Sequence, residues 1–201
     1  MGATTYLFSA LMPDDAREIE RGLRQRDPDL LDRLIEQYQY RLYRYLLFLT
    51  ANRETAEDLF QETWVRVLDR GHQYNGKAKF ETWLFSIARH LVIDALRRRR
   101  PESLDELMDP AEGQEGRPAR EFAAGEPGPA ELFAQGEEGE RVAAALGELP
   151  SAHREVLLLR FQEDLGLEEI AGVAAAPLST VKSRLYRGLE QLRGLLEEPR
   201  P

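Results

Sequence analysis

The sequence predicts an all-α protein: two small helical domains joined by a flexible acidic linker. Three observations predict it. Helical periodicity runs through both ends of the 201-residue chain while strand signals are nearly absent. The formal charge of −9 is unevenly spread: residues 1–100 carry 17 Lys/Arg against 15 Asp/Glu, residues 101–140 carry 2 against 12, and residues 141–201 carry 8 against 9. That central stretch also holds five prolines and six glycines. Like charge, helix breakers and few apolar groups cannot offset the entropy cost of ordering, so it reads as a mostly disordered tether. The expected organisation is a first domain over 1–100, the linker over 101–139 and a second domain over 140–201.

In the first domain, helices are expected near 14–25, 28–51, 53–70 and 79–99. Asp27-Pro28 supplies an acceptor side chain before a first-turn proline, a good helix start. Asn52 breaks the chain between the next two helices. Gly71 to Lys79, with two glycines and an asparagine, turns it again. In the second domain, helices are expected near 140–148, 151–162, 167–174 and 178–196.

Composition excludes several classes of function. The chain contains no cysteine, which removes disulfides, thiolate metal sites and thiol redox sensing. It has no run of about 18 apolar residues, and its first residues lack the basic start of a signal peptide. A cytoplasmic location is therefore expected. Three scattered histidines, Asp/Glu pairs at helical spacing and no glycine-rich phosphate loop make an enzyme the weakest reading, and no cofactor or metal is expected.

Nucleic-acid chemistry is better supported. Leu167 to Leu189 lays out a short helix, a tight connection with Pro177 and a longer helix, the arrangement of a helix-turn-helix. On the longer helix Leu178, Val181, Leu185, Leu189 and Leu192 form an apolar stripe at three- and four-residue spacing. The opposite side presents Ser179, Thr180, Ser183, Arg184 and Arg187, with Lys182 on its flank. Small hydroxyls let a helix sit deep in a major groove, and arginine forks reach guanine edges or phosphates. Small Ala171 lets the two helices cross closely.

The stretch from Phe80 to Arg100 is apolar, aromatic and basic together. Phe80, Leu84, Ile87, Leu91 and Ala95 share one face at about 100° per residue, widened by Phe85, Val92 and Leu96 into a core-facing arc. The other side collects Thr82, Ser86, Arg89, His90, Ile93, Arg97 and Arg100, with Trp83 at its edge. Exposed aromatics among cations hold single-stranded DNA by stacking and charge. Packing is the stronger reading for Trp83, and His90 is expected to stay neutral. The arginine run exceeds what capping a helix terminus requires.

These segments resemble a known family. The stretch L-P-S-A-H-R-E-V-L-L-L-R-F through V-K-S-R-L-Y-R-G-L-E-Q-L-R is similar to region 4 of extracytoplasmic-function (ECF) sigma factors. L-Y-R-Y-L-L-F-L-T, A-E-D-L-F-Q-E-T-W-V-R-V and F-E-T-W-L-F-S-I-A-R-H-L-V-I-D-A-L-R-R look like region 2. The resemblance implies a promoter-specificity subunit of bacterial RNA polymerase. Core-polymerase binding, at the clamp helices of the largest subunit, falls on Asp58, Gln61 and Glu62, with Leu46 and Leu59 as apolar anchors; Leu59, Val65 and Leu68 are expected in the core. Minus-ten recognition and melting falls on Tyr74, Asn75, Lys77 and Lys79 of the loop, then Trp83, Arg89, His90, Arg97 and Arg100. Minus-35 recognition falls on Ser179, Thr180, Lys182, Ser183, Arg184 and Arg187. The β-subunit flap and an anti-sigma factor are further implied partners, and the linker is implied to thread toward the active cleft. Two positions depart from the family pattern: His90 stands where asparagine is expected, and Ala175 where a turn glycine is expected, which predicts an altered turn. The alternatives are a stand-alone helix-turn-helix regulator and a sigma-mimicking interaction protein.

Overall fold

A computed structural model describes residues 14–99 and 137–197. Residues 101–136 of the expected linker, the N-terminal segment and Arg100 lie outside these residues, while 137–139, also expected in the linker, belong to a helix. Within them the chain forms α1 (Asp14–Gln25), α2 (Pro28–Thr50), α3 (Arg53–Arg70), a 3-10 turn (Gly71–Gln73) and α4 (Phe80–Arg99). The second module has α5 (Glu137–Glu148), α6 (Ser151–Phe161), α7 (Leu167–Ala174) and α8 (Leu178–Glu197). Among the described residues there is no strand, and no helix is long and apolar enough to cross a membrane.

The helix starts follow from their caps. Asp27 Oδ1 accepts from the backbone N–H groups of Asp29 and Leu30, satisfying donors with no intrahelical partner in the first turn of α2. Asn52 Oδ1 does the same for Thr55 at α3. Gly166 opens α7 with Glu169 reaching back to its N–H at 2.7 Å. Asn75 and Gly76 make the turn before α4: Asn75 Oδ1 accepts from Lys77 N–H, and Gly76 takes φ +67.

The first module packs α2, α3 and α4 against one another, with α1 on α2 and the 3-10 turn. Its core holds Leu42, Tyr45, Phe48, Leu84 and Phe85, all almost fully buried. An aromatic chain, Tyr38 to Phe80 to Tyr74 to Trp83, closes one end, with centroids 5.3–5.9 Å apart. In the second module α8 crosses α5, α6 and α7. Gly188 makes the α8 to α6 approach possible, since a Cβ there would lie 3.3 Å from His153 Cβ and Leu157 Cδ1.

The two modules are docked on each other. α4 packs on α7, and α2 on α6. Every residue of α6 from Ala152 to Leu159 is buried, the pattern of a helix surrounded on all sides. This docking covers Thr82 and Arg89 of α4, which were expected on an open face.

Two core expectations need correction. Val65 and Leu68 are 49% and 38% exposed on the outer side of α3, because the helix turns Leu59, Thr63, Trp64 and Val67 inward instead. On α8 the buried stripe is Val181, Arg184, Leu185 and Gly188. Leu189, expected in that stripe, is exposed.

The turn before α8 also differs from expectation. Ala175 takes the left-handed conformation itself, at φ 47 and ψ 42, and Ala176 N–H donates to Ala171 O at 3.1 Å, a glycine-type helix end kept without glycine. The recognition turn is therefore retained at the cost of strain on an L-residue. Ala175→Gly is expected to relieve that strain and stabilise the protein by about 0.5–1 kcal/mol after its own entropy cost, read as a higher urea midpoint at unchanged m-value.

His153 gives a pH prediction. Burial pushes its imidazole below the usual value, against the Gln191 Oε1 contact at 2.8 Å. The folded state therefore binds that proton less readily than the unfolded chain. Its stabilising effect is complete above about pH 6.5 and declines as the pH falls through that value. Thermal melts between pH 7.5 and 5.5 should show this decline, and His153→Asn should flatten it.

Candidate nucleic-acid and polymerase interface

α8 offers a complete outward face. Ser179, Lys182, Ser183 and Arg187 are exposed and Thr180 is half-buried. Arg184 is the exception at 4% exposure. Its position three residues after Val181 and four before Gly188 puts it on the packed stripe, so it is not part of the readout face. The exposed set still combines hydroxyls, an ammonium and a guanidinium, the chemistry of base-edge and phosphate contact.

On α3, Asp58 and Gln61 are exposed and Glu62 is half-buried, its carboxylate paired with Arg66 at 2.7 Å. Exposed Val65 and Leu68 extend the same outer surface, so α3 presents a mixed acidic and apolar strip. Sequence reasoning missed these two because valine and leucine at helical spacing read as core; only the angular positions of Thr63 and Trp64 separate the faces. The two expected anchors are inside: Leu46 is fully buried and Leu59 nearly so. Neither is presented to a partner here.

The α4 region is more changed. In the loop, Tyr74 is buried, its hydroxyl donating to Ala78 O at 2.9 Å and raised to a pKa of about 12 chiefly by burial. It holds the loop closed instead of facing outward. Asn75, Lys77 and Lys79 are exposed, with Lys79 Nζ 3.3 Å from Glu169 Oε2 of the second module. Trp83 is half-buried against Tyr74 and Phe80. His90 and Arg97 are exposed, and His90 Nδ1 lies 2.6 Å from Ser86 O.

Arg89 is 2% exposed, against the expectation of an open DNA face. Its Nε donates to Glu155 Oε1 at 2.8 Å, and the Tyr45 hydroxyl donates to the same oxygen at 2.9 Å. Burial pushes the Tyr45 hydroxyl well above its ordinary value, so it stays a donor. Thr82 is likewise covered, its hydroxyl 3.3 Å from Glu169 Oε1. The physical reason is tertiary: the second module lies over this side of α4.

Other contacts brace the same boundary. Arg154 donates to Phe48 O at 2.6 Å across it, and to Gly147 O and Leu149 O at 2.9 and 2.8 Å within its own module. One guanidinium thus satisfies carbonyls at the C-terminal ends of α2 and α5, where a cation also meets the negative end of each helix. Arg41 pairs with buried Glu163 at 2.7 Å. Burial raises the Glu163 carboxyl pKa, an effect Arg41 opposes. Among the described residues no group of three or more His, Asp or Glu is arranged to hold a metal.

Comparison with known proteins identifies the family. Residues 34–102 match the family model for sigma-70 region 2, and residues 145–194 that for sigma-70 region 4. The chain is 36% identical over 170 residues to the ECF RNA polymerase sigma factor SigE of Mycolicibacterium smegmatis, covering 82% of this chain and 61% of that protein. It is 31% identical over 164 residues to the ECF sigma factor SigX of Bacillus subtilis, covering 82% of each. The fold is shared with CnrH in complex with the cytosolic domain of CnrY, at a TM-score of 0.61 and 20% identity over 90% of this chain and 97% of that one. It is shared too with the sigma factor RpoE bound to the anti-sigma factor NepR from Bartonella quintana, at 0.58 and 21% over 94% and 100%. With both sigma regions matched in order, and a relative covered over most of its length at this identity, the chain belongs to the ECF RNA polymerase sigma factors.

Proposed function

We propose that the chain works as a non-catalytic initiation subunit in the cytoplasm, with the three surfaces above dividing the labour. The observation that carries this reading is the outward face of α8, which holds Ser179, Lys182, Ser183 and Arg187 together on the second helix of a helix-turn-helix. These residues, with Thr180, read the minus-35 element in the major groove. The α3 strip of Asp58, Gln61 and Glu62, extended by Val65 and Leu68, docks on the clamp helices of the polymerase largest subunit. The second module meets the β-subunit flap. Asn75, Lys77, Lys79, Trp83, His90 and Arg97 act on the minus-ten strand. Asn75 spends its Oδ1 on the turn, which leaves its amide nitrogen as the donor for a flipped base.

Two of the solved structures sharing this fold are complexes, one of RpoE with an anti-sigma factor and one of CnrH with the cytosolic domain of CnrY. An anti-sigma factor is accordingly the partner class we assign for repression. The alternatives read from sequence predict different behaviour: a stand-alone regulator binds duplex tightly without polymerase, and a sigma mimic binds partners without starting transcription.

Run-off transcription with core polymerase and a promoter library is the direct test. A promoter-dependent product is expected, and its complete absence would refute the initiation role. Gln61→Ala with Glu62→Ala should weaken assembly with core enzyme while leaving the melting temperature nearly unchanged; undiminished affinity would remove α3 from the polymerase interface. Arg187→Ala should lose about 1–3 kcal/mol of minus-35 binding if its fork reads a guanine, and Lys182→Ala should lower affinity evenly across sequences. Both are measured with the assembled holoenzyme at fixed salt.

A further inference from the structure

Helix α1 precedes residue 34, where the match to sigma-70 region 2 begins. One edge of it rests on the segment that leads into α4. A Cβ on Gly76 would lie 3.5 Å from Ala16 O and 3.6 Å from Glu20 Oε2, and one on Gly71 would lie 3.1 Å from Leu23 Cβ. Helix α1 therefore runs along the loop assigned to the minus-ten strand. Its other edge belongs to α2: Glu18 pairs with Arg33 at 3.2 Å, and a Cβ on Gly22 would collide with Leu30 Cδ2.

Between these edges lies a solvent-facing arc. At about 100° per residue, Arg17, Arg21 and Arg24 fall within about 60° of one another, next to Glu20 on the loop side. All three arginines are exposed. Arg24 pairs with Glu20 at 2.9 Å, which offsets the α1 carboxylate nearest the loop. Arg17 and Arg21 pair with no carboxylate among the described residues. Exposed Lys77 continues the positive charge onto the loop itself. We propose that α1 is a phosphate-binding flank of the minus-ten site, where Arg17 and Arg21 hold the promoter single strand as it leaves the loop on the side away from α4. The inference rests on the minus-ten reading above and extends it to nucleotides beyond the element.

The residue types select the backbone over the bases. A guanidinium fork matches two phosphate oxygens at once. The arc holds no aromatic side chain, so it has no platform on which bases could stack. One helical turn, about 6 Å, separates Arg17 from Arg21 and suits successive phosphates of an extended strand. Ile19 and Leu23, both buried, fix α1 in the core of the module, so the two cations are held beside the loop before DNA arrives.

The test uses the assembled holoenzyme and a single-stranded oligonucleotide carrying the minus-ten element of a promoter that gives a run-off product. The oligonucleotide is compared alone and with a short extension of arbitrary sequence at its 5′ or its 3′ end. At one of these ends the extension should raise wild-type affinity, and Arg17→Ala with Arg21→Ala should remove about fivefold of that gain whatever the added sequence. Two lost phosphate contacts should also flatten the slope of log affinity against log salt by about 1.4. Both side chains are exposed, so the melting temperature should hold. Arg33→Ala removes a cation from the α2 edge and should leave the gain intact. An extension gain that is equal in wild type and double variant would overturn the inference. A loss that Arg33→Ala reproduces would do so too, because it would mark a general field instead of contacts. A double variant that keeps the gain but assembles poorly with core enzyme would give the arginines an acidic protein surface instead of DNA. Failure of the wild-type holoenzyme to bind the unextended oligonucleotide would sink the minus-ten reading itself, and this inference with it.

Discussion

The arrangement of the whole molecule depends on one buried carboxylate. Glu155 Oε1 accepts from both Arg89 Nε and the Tyr45 hydroxyl, and all three side chains are shut away from solvent. The charge sits on the second module while both donors sit on the first. Removing one partner of such a pair leaves an uncompensated buried charge, which costs on the order of 3–5 kcal/mol. Each module's interior is thus conditional on the other's position: α4 can bury Arg89 only because α6 brings Glu155, and α6 can be buried all round only because α2 and α4 cover it.

This dependence divides the DNA-facing surfaces unequally. The outer side of α8 is open in the docked form, whereas Arg89 and Thr82 of α4 are covered. The α3 strip is open as well. The chain as described therefore presents the α8 side chains proposed to read duplex and the α3 strip proposed to face polymerase, and covers part of the α4 face proposed for the melted strand.

Much of the fold was legible in sequence because its signals are local. Asp27-Pro28, Asn52 and Asn75-Gly76 set helix limits through caps and turns within a few residues, and the eight helices lie within about three residues of where periodicity puts them. The failures share a cause. Arg184 and Gly188 complete the buried stripe of α8, yet neither is apolar, so a hydrophobic pattern shifts to Leu189 instead. Arg89 looks like a solvent cation because its partner is 66 residues away in sequence. Tyr74 looks like a loop aromatic until Phe80 and Trp83 fold around it. Glu155, flanked by Arg154 and Val156 on a short helix, carries no mark that separates a buried ion-pair partner from an ordinary surface acid. Ala175 shows the converse: the turn survives because its surroundings hold an alanine where glycine would rest without strain.

The uninterrupted burial of α6, from Ala152 to Leu159, has a consequence for how this helix can vary. A soluble helix normally has one side on which substitutions drift freely, and α6 has none. Its side toward α2 and α4 cannot lose Arg154 or Glu155 without leaving their buried partners unmet. Nor can it become strongly hydrophilic without losing its seat. The mixture found there, arginine and glutamate set among valine and leucine, is an interior whose charges are each held by named partners: Arg154 by three carbonyls, Glu155 by Arg89 and Tyr45.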